Sequence, residues 1–131
     1  ETTSLDPQDA QIVAVSLTIS AGLSFVIDCR MDDVPQDLFN MSSKRRIHPV
    51  FKVLVPLFED PNIPKILHNA KYEYEVLYYY DIALSGVYFD TMIAESLISP
   101  EKHSYKLDNL SLLFSYRQWI SFQSKCGDDL L

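Results

Sequence analysis

Two carboxylates stand in settings that could do chemistry. Glu1 opens the run Glu1-Thr2-Thr3-Ser4-Leu5-Asp6, and Glu73 closes the run His68-Asn69-Ala70-Lys71-Tyr72-Glu73. The first run reads like the remainder of an Asp-x-Glu metal-binding strand whose Asp would lie just upstream. Carboxylate oxygens, at about 2.1 Å, are the ligands a hard cation such as Mg²⁺ requires. On a helix, Asn69 and Glu73 would project from one face at its start. Each carboxylate also has a plainer reading. Glu1 would be a frayed terminal charge, and Glu73 a surface charge beside Glu75.

Two further blocks follow: Phe89-Asp90-Thr91-Met92-Ile93-Ala94 and Leu107-Asp108-Asn109-Leu110. No single block is specific, but the ordered set, spread over nearly the whole chain, resembles the 3′–5′ exonuclease domain of bacterial family-A DNA polymerases. The resemblance implies an α/β, ribonuclease-H-like exonuclease fold, a mixed β-sheet flanked by helices. It also implies two divalent metal ions, Mg or Mn, about 4 Å apart, which activate a water and stabilise the leaving oxygen. Four carboxylates hold such a pair in the family. Glu1 matches the Glu of the first motif, and Glu73 stands where the family normally has Asp. The extra methylene moves that carboxylate by roughly 1.5 Å, against a tolerance of about 0.5 Å for catalytic geometry.

The same resemblance assigns DNA contacts. Thr2, His68, Asn69, Lys71 and Tyr72 occupy family positions, and Leu5 matches an apolar residue that wedges beside the terminal base. Phe122 matches an aromatic on which a base stacks, a contact that ignores sequence and so suits removal of any 3′ nucleotide. Packing of Phe122 beside Trp119 and Ile120 is the other reading. The family often has Arg where this chain has Ser104 and His where it has Tyr105, which weakens the expected contacts to the 3′ end. Asp90, ahead of a helix, reads as an N-cap with no role in catalysis. The partners implied are a single-stranded DNA 3′ end and a polymerase domain of the same chain.

Residues 1–131 would then be one partial exonuclease domain, incomplete at both termini. The first-motif Asp lies upstream, and a third motif, Tyr with Asp four residues later, lies beyond Leu131. A fragment with two of four metal carboxylates is expected to be inactive alone. Three readings of the parent compete: a working proofreading exonuclease of a repair polymerase, a degenerate domain that braces the polymerase domain, and a stand-alone ribonuclease D-like exonuclease. Glu1, Asn69, Lys71 and Tyr72 favour the first; Glu73, Ser104 and Tyr105 favour the second.

Composition sets further bounds. A chain of 131 residues, 47% hydrophobic, has the size and apolar content of one domain. Its net charge of −7 opposes general affinity for phosphate backbones, so weak DNA binding is expected. No run approaches the 18 or so apolar residues that span a bilayer, and no signal peptide opens the chain. A soluble, cytoplasmic monomer with no membrane partner is the expectation. Cys29 and Cys126 match no metal-binding spacing and read as reduced structural thiols. His48, His68 and His103 have no ligand spacing either, and of the three only His68 would border the site.

The elements that must position these residues are legible from periodicity. Val13, Val15, Leu17 and Ile19 alternate, and Ala21-Gly22 separates them from Leu23 to Ile27, which predicts a β-hairpin. Arg30 to Arg46 reads as a loop or short helix, its Lys44-Arg45-Arg46 run a solvated face. Helical spacing of Val50, Phe51, Leu54, Leu57 and Phe58 follows, with Pro49 in the first turn. Lys65 to His68 reads as a strand, and Asn69 as the N-cap of a helix from Ala70 to about Tyr80. In the Tyr78-Tyr79-Tyr80 run three consecutive residues face three directions, so core and helix end are expected rather than a stacking strip. A strand over Val87 to Phe89 and helices over Thr91 to Leu97 and Leu107 to Phe114 complete the pattern.

Overall fold

The computed structural model describes residues 1–30, 45 and 47–115. These fall into two compact units, one of Glu1–Pro64 with Lys71–Gly86 and one of Lys65–Ala70 with Val87–Leu131. Phe122 and Cys126 lie outside the described residues, as does most of the Arg30 to Arg46 stretch.

The first unit is organised by an antiparallel hairpin of β1 (Ala14–Ser20) and β2 (Leu23–Asp28). Ala14 pairs with Asp28 and Leu17 with Phe25. Gly22 turns the chain at φ +81°, a left-handed conformation that a side chain would strain. A Thr18 to Ser24 hydroxyl contact of 2.7 Å crosses the pair. Ahead of β1, the chain start adds a further antiparallel rung. Val13 N–H donates to Glu1 O at 3.0 Å, Thr3 N–H donates to Gln11 O at 3.0 Å, and Thr2 bridges Ile12. Cys29 N–H donates to Val13 O at 2.8 Å, so Val13 is bonded on both sides.

Helix α1 (Pro49–Glu59) starts where proline permits, since the missing N–H of Pro49 falls among donors that have no intrahelical partner. His48 Nδ1 accepts from Val50 N–H at 3.2 Å and caps it. Phe51 is buried, its ring stacked on Phe58 at 5.5 Å between centroids. Pro56 lies inside the helix near its C-terminal end, on an exposed position. Ser85 N–H donates to Phe58 O at 2.9 Å and Ala83 N–H to Glu59 Oε1 at 3.2 Å, which ties the chain after α2 to the end of α1.

Helix α2 (Ala70–Tyr78) carries buried Val76 and Leu77, and the turn after it buries Tyr80, Ile82 and Leu84. The three tyrosines diverge as the sequence implies. Tyr80 is buried with its hydroxyl accepting from Ile12 N–H at 3.1 Å, while Tyr78 and Tyr79 are exposed. Arg45 departs from the solvated reading of its charge run. Its guanidinium donates to the carbonyls of Gln8 and Ala10 and lies over the rings of Tyr79 and Tyr80, 4.9 and 5.4 Å from their centroids. A planar guanidinium can stack on rings while its fork of donors stays bonded, so this arginine is spent on packing.

The second unit is built on a parallel pair, β3 (Lys65–Leu67) and β4 (Val87–Asp90), with Ile66 opposite Phe89 and Leu67 opposite Asp90. Parallel strands need a long connection, here residues 68–86. Helices α3 (Thr91–Ile98) and α4 (Leu107–Ser115) follow. Glu95 of α3 is 4% exposed and paired with Lys102, which offsets the cost of burying its charge. Among the described residues the strands form two separate two-stranded sheets, one antiparallel and one parallel, in place of the single mixed sheet expected, and helices accompany both in an α/β arrangement.

Candidate active site

In the first unit the two motif blocks meet. The Tyr72 hydroxyl donates to Ser4 O and lies 2.5 Å from Thr2 Oγ1, which itself contacts Ser4 O at 3.1 Å. The residue after Glu1 therefore touches the residue before Glu73. Glu1 is exposed, on a backbone held by Val13 N–H and by its own amino group donating to Ala14 O at 2.8 Å. Leu5 is 95% exposed, an apolar side chain offered to solvent beside this junction.

Glu73 is half-buried, with Oε2 shielded from solvent, which differs from a solvated charge sharing a face with Glu75. The exposed partner of Glu75 is Lys71, four positions earlier on the helix and 3.8 Å away. That pair is open to water and holds Lys71 only weakly.

In the second unit His68 and Asn69 form the turn entering α2. Asn69 is not the N-cap. It takes φ +68°, outside the extended conformation of a capping residue, and the first N–H of α2, that of Ala70, is satisfied from the end of β4 instead. Asp90 Oδ1 accepts from Asn69 N–H at 3.1 Å and Oδ2 from Ala70 N–H at 2.7 Å. The same carboxylate caps α3, accepting from Met92 N–H at 2.8 Å and Ile93 N–H at 3.2 Å. Burial pushes the Asp90 carboxyl upward, but the N–H groups of Ala70, Asn69, Ile93 and Met92 more than offset it and hold its pKa below the usual value. His68 Nδ1 lies 2.8 Å from Thr91 Oγ1.

Tyr105 and Ser104 serve local structure: the Tyr105 hydroxyl donates to Ser99 O at 2.9 Å, and Ser104 Oγ accepts from Asn109 Nδ2 at 3.2 Å. The contacts that sequence reasoning missed are the Thr2 to Tyr72 junction and the doubled cap at Asp90. The one signal for the latter was an Asp between a strand and a helix.

Among the described residues, no three of His, Cys, Asp and Glu gather closely enough to hold a metal ion. The carboxylate donors are of the type a hard cation takes, but they do not by themselves make a metal centre.

The sequence profile of the 3′–5′ exonuclease family matches residues 1–129. The chain belongs to that family. The chain is 32% identical over 131 residues to DNA polymerase I of Pseudomonas aeruginosa, an alignment that takes in 97% of the chain and 14% of that relative. It is 34% identical over 100 residues to DNA polymerase I of Chloroflexus aurantiacus, 75% of the chain and 10% of the relative. The chain therefore spans about a seventh or less of the length of these relatives. A solved structure described as the POL domain of Pol1 from M. smegmatis in complex with DNA primer-template and dNTP superimposes with a TM-score of 0.62 at 27% identity, over 86% of this chain and 17% of that one. The likeness is consistent with the ribonuclease-H-like fold. No helix among the described residues is long and apolar enough to cross a membrane.

Proposed function

We propose that the chain is the proofreading 3′–5′ exonuclease domain of a DNA polymerase I, acting on the 3′-terminal phosphodiester of single-stranded DNA inside the cell, with a polymerase domain in the same parent chain. The observation that carries the reading is the Thr2 to Tyr72 junction, which anchors the Glu1 segment against the start of α2 beside Glu73. Glu1 and Glu73 are the carboxylates this chain contributes toward two divalent ions, Mg or Mn, whose part in such chemistry is to activate water and stabilise the leaving oxygen. Tyr72 and Thr2 fix the backbone that carries Glu1. Exposed Leu5 offers an apolar wedge, while Lys71, His68 and Asn69 supply polar contacts to the terminal nucleotide. The residues act on one domain, 1–131, as a monomer.

One observation favours a second reading, a degenerate domain that braces the polymerase: Glu73 stands where the family has Asp. Digestion of a 5′-labelled single-stranded oligonucleotide by the parent protein separates the two. Shortening of the 3′ end that Glu73→Ala abolishes supports the exonuclease; cutting only by Glu73→Asp shows that the activity has decayed.

A further inference from the structure

Leu5 is 95% exposed, so its side chain is placed by the backbone on either side of it and not by packing. Ahead of it, Ser4 O accepts from the Tyr72 hydroxyl. Behind it the chain makes a tight turn: Asp6 Oδ1 accepts from Gln8 N–H at 2.9 Å, and Asp6 O from Asp9 N–H at 3.1 Å and Ala10 N–H at 3.0 Å. These bonds close the turn on itself. Its tie to the rest of the unit is Arg45, whose guanidinium donates to the carbonyls of Gln8 and Ala10. The guanidinium in turn lies over Tyr79 and Tyr80, 4.9 and 5.4 Å from the ring centroids. Tyr80 is buried, and its hydroxyl accepts from Ile12 N–H at 3.1 Å, just past the turn. Hydrogen bonds from a charged donor are stronger than neutral ones, and a planar fork can serve two carbonyls and two rings at once, which an ammonium cannot.

We propose that Arg45 is a positioning residue for Leu5: by clamping the turn over residues 6–10 onto the tyrosines that follow α2, it fixes where the exposed apolar side chain meets the terminal base. The contact with a base rests on the exonuclease reading; the clamp rests on the geometry alone.

The test is a double-mutant cycle in the parent polymerase, read as kcat and KM for removal of the 3′ nucleotide from a 5′-labelled single-stranded oligodeoxynucleotide. Arg45→Met keeps an unbranched stem and removes the donors, and Leu5→Ala removes the apolar contact. Either substitution alone is expected to raise KM roughly fivefold to tenfold with kcat kept, the loss of about one apolar contact made equally to substrate and transition state. In the Leu5→Ala background Arg45→Met should add nothing, because the side chain it positions is gone. An unchanged KM in Arg45→Met, a fall in kcat alone, or the same effect of Arg45→Met in both backgrounds overturns the proposal. The last two are what a merely structural role produces. If Arg45→Met fails to fold, Arg45→Lys, which keeps the charge and loses the fork, decides by the same cycle. A parent that shortens no 3′ end before any substitution sinks the exonuclease reading and the proposal with it, whereas an active parent with any of the three overturning outcomes sinks the proposal alone.

Discussion

Thr2 Oγ1 and the Tyr72 hydroxyl lie 2.5 Å apart and share the carbonyl of Ser4, although seventy residues separate them in the chain. This junction converts two weak motifs into one place. A strand start with few rungs frays unless something ties it down, and the tie comes from the residue preceding Glu73.

Tyr72→Phe removes the hydroxyl and keeps the ring. The expected cost is about 1–2 kcal/mol of stability, the net worth of one or two hydrogen bonds. Hydrogen exchange is the more specific measurement: the Val13 amide, which donates to Glu1 O, should exchange faster in the variant, while amides of α1 should not change.

Asp90→Ala should cost about 2 kcal/mol at neutral pH, since Asn69, Ala70, Met92 and Ile93 all lose an acceptor. The sign of the pH dependence follows from the lowered pKa of Asp90. The folded chain binds this proton less readily than the unfolded chain, so the stabilisation is fully present above the unfolded value of about 3.9 and is lost as pH falls through the folded value. Urea unfolding at pH 7 and again below pH 3 should show the gap between wild type and variant narrowing with acid.

Phe51→Ala should cost about 3–5 kcal/mol, the range for truncating a buried aromatic. Phe51 is 2% exposed and stacked on Phe58, so little solvent can fill the space left behind. The urea midpoint should fall sharply. Val53→Ala on the same helix, where the side chain is 78% exposed, should change it little.

Asp28 is held down to about 2 by the Arg30 side chain, whose Nε reaches both carboxylate oxygens at 3.1 and 3.0 Å, with help from the Arg30 N–H. Carboxyl ¹³C titration should show Arg30→Ala returning Asp28 toward the ordinary aspartate value. Because the pair is open to solvent, the variant should lose little stability at pH 7.

Much of the architecture was written in local patterns. Alternation of Val13, Val15 and Leu17 around the Ala21-Gly22 turn specified the hairpin, and proline at 49 with apolar spacing behind it specified α1. Strand and helix periods are properties of consecutive residues, so they can be read without knowing what lies opposite. The motif blocks, too, were visible as residue types in order, and they carried the family assignment.

What the sequence could not show was every contact that depends on distant backbone. Asn69 has the composition of an N-cap, yet its left-handed backbone excludes the role and Asp90, on the adjoining strand, supplies the acceptor. Arg45 sits in a basic run that reads as solvated, yet its guanidinium finds two carbonyls and two tyrosine rings. Glu73 has the formula of a surface charge, yet one of its oxygens is shielded. In each case side-chain type was fixed by the chain, whereas its partner was set by strand pairing and helix placement, which only tertiary structure brings within hydrogen-bond reach.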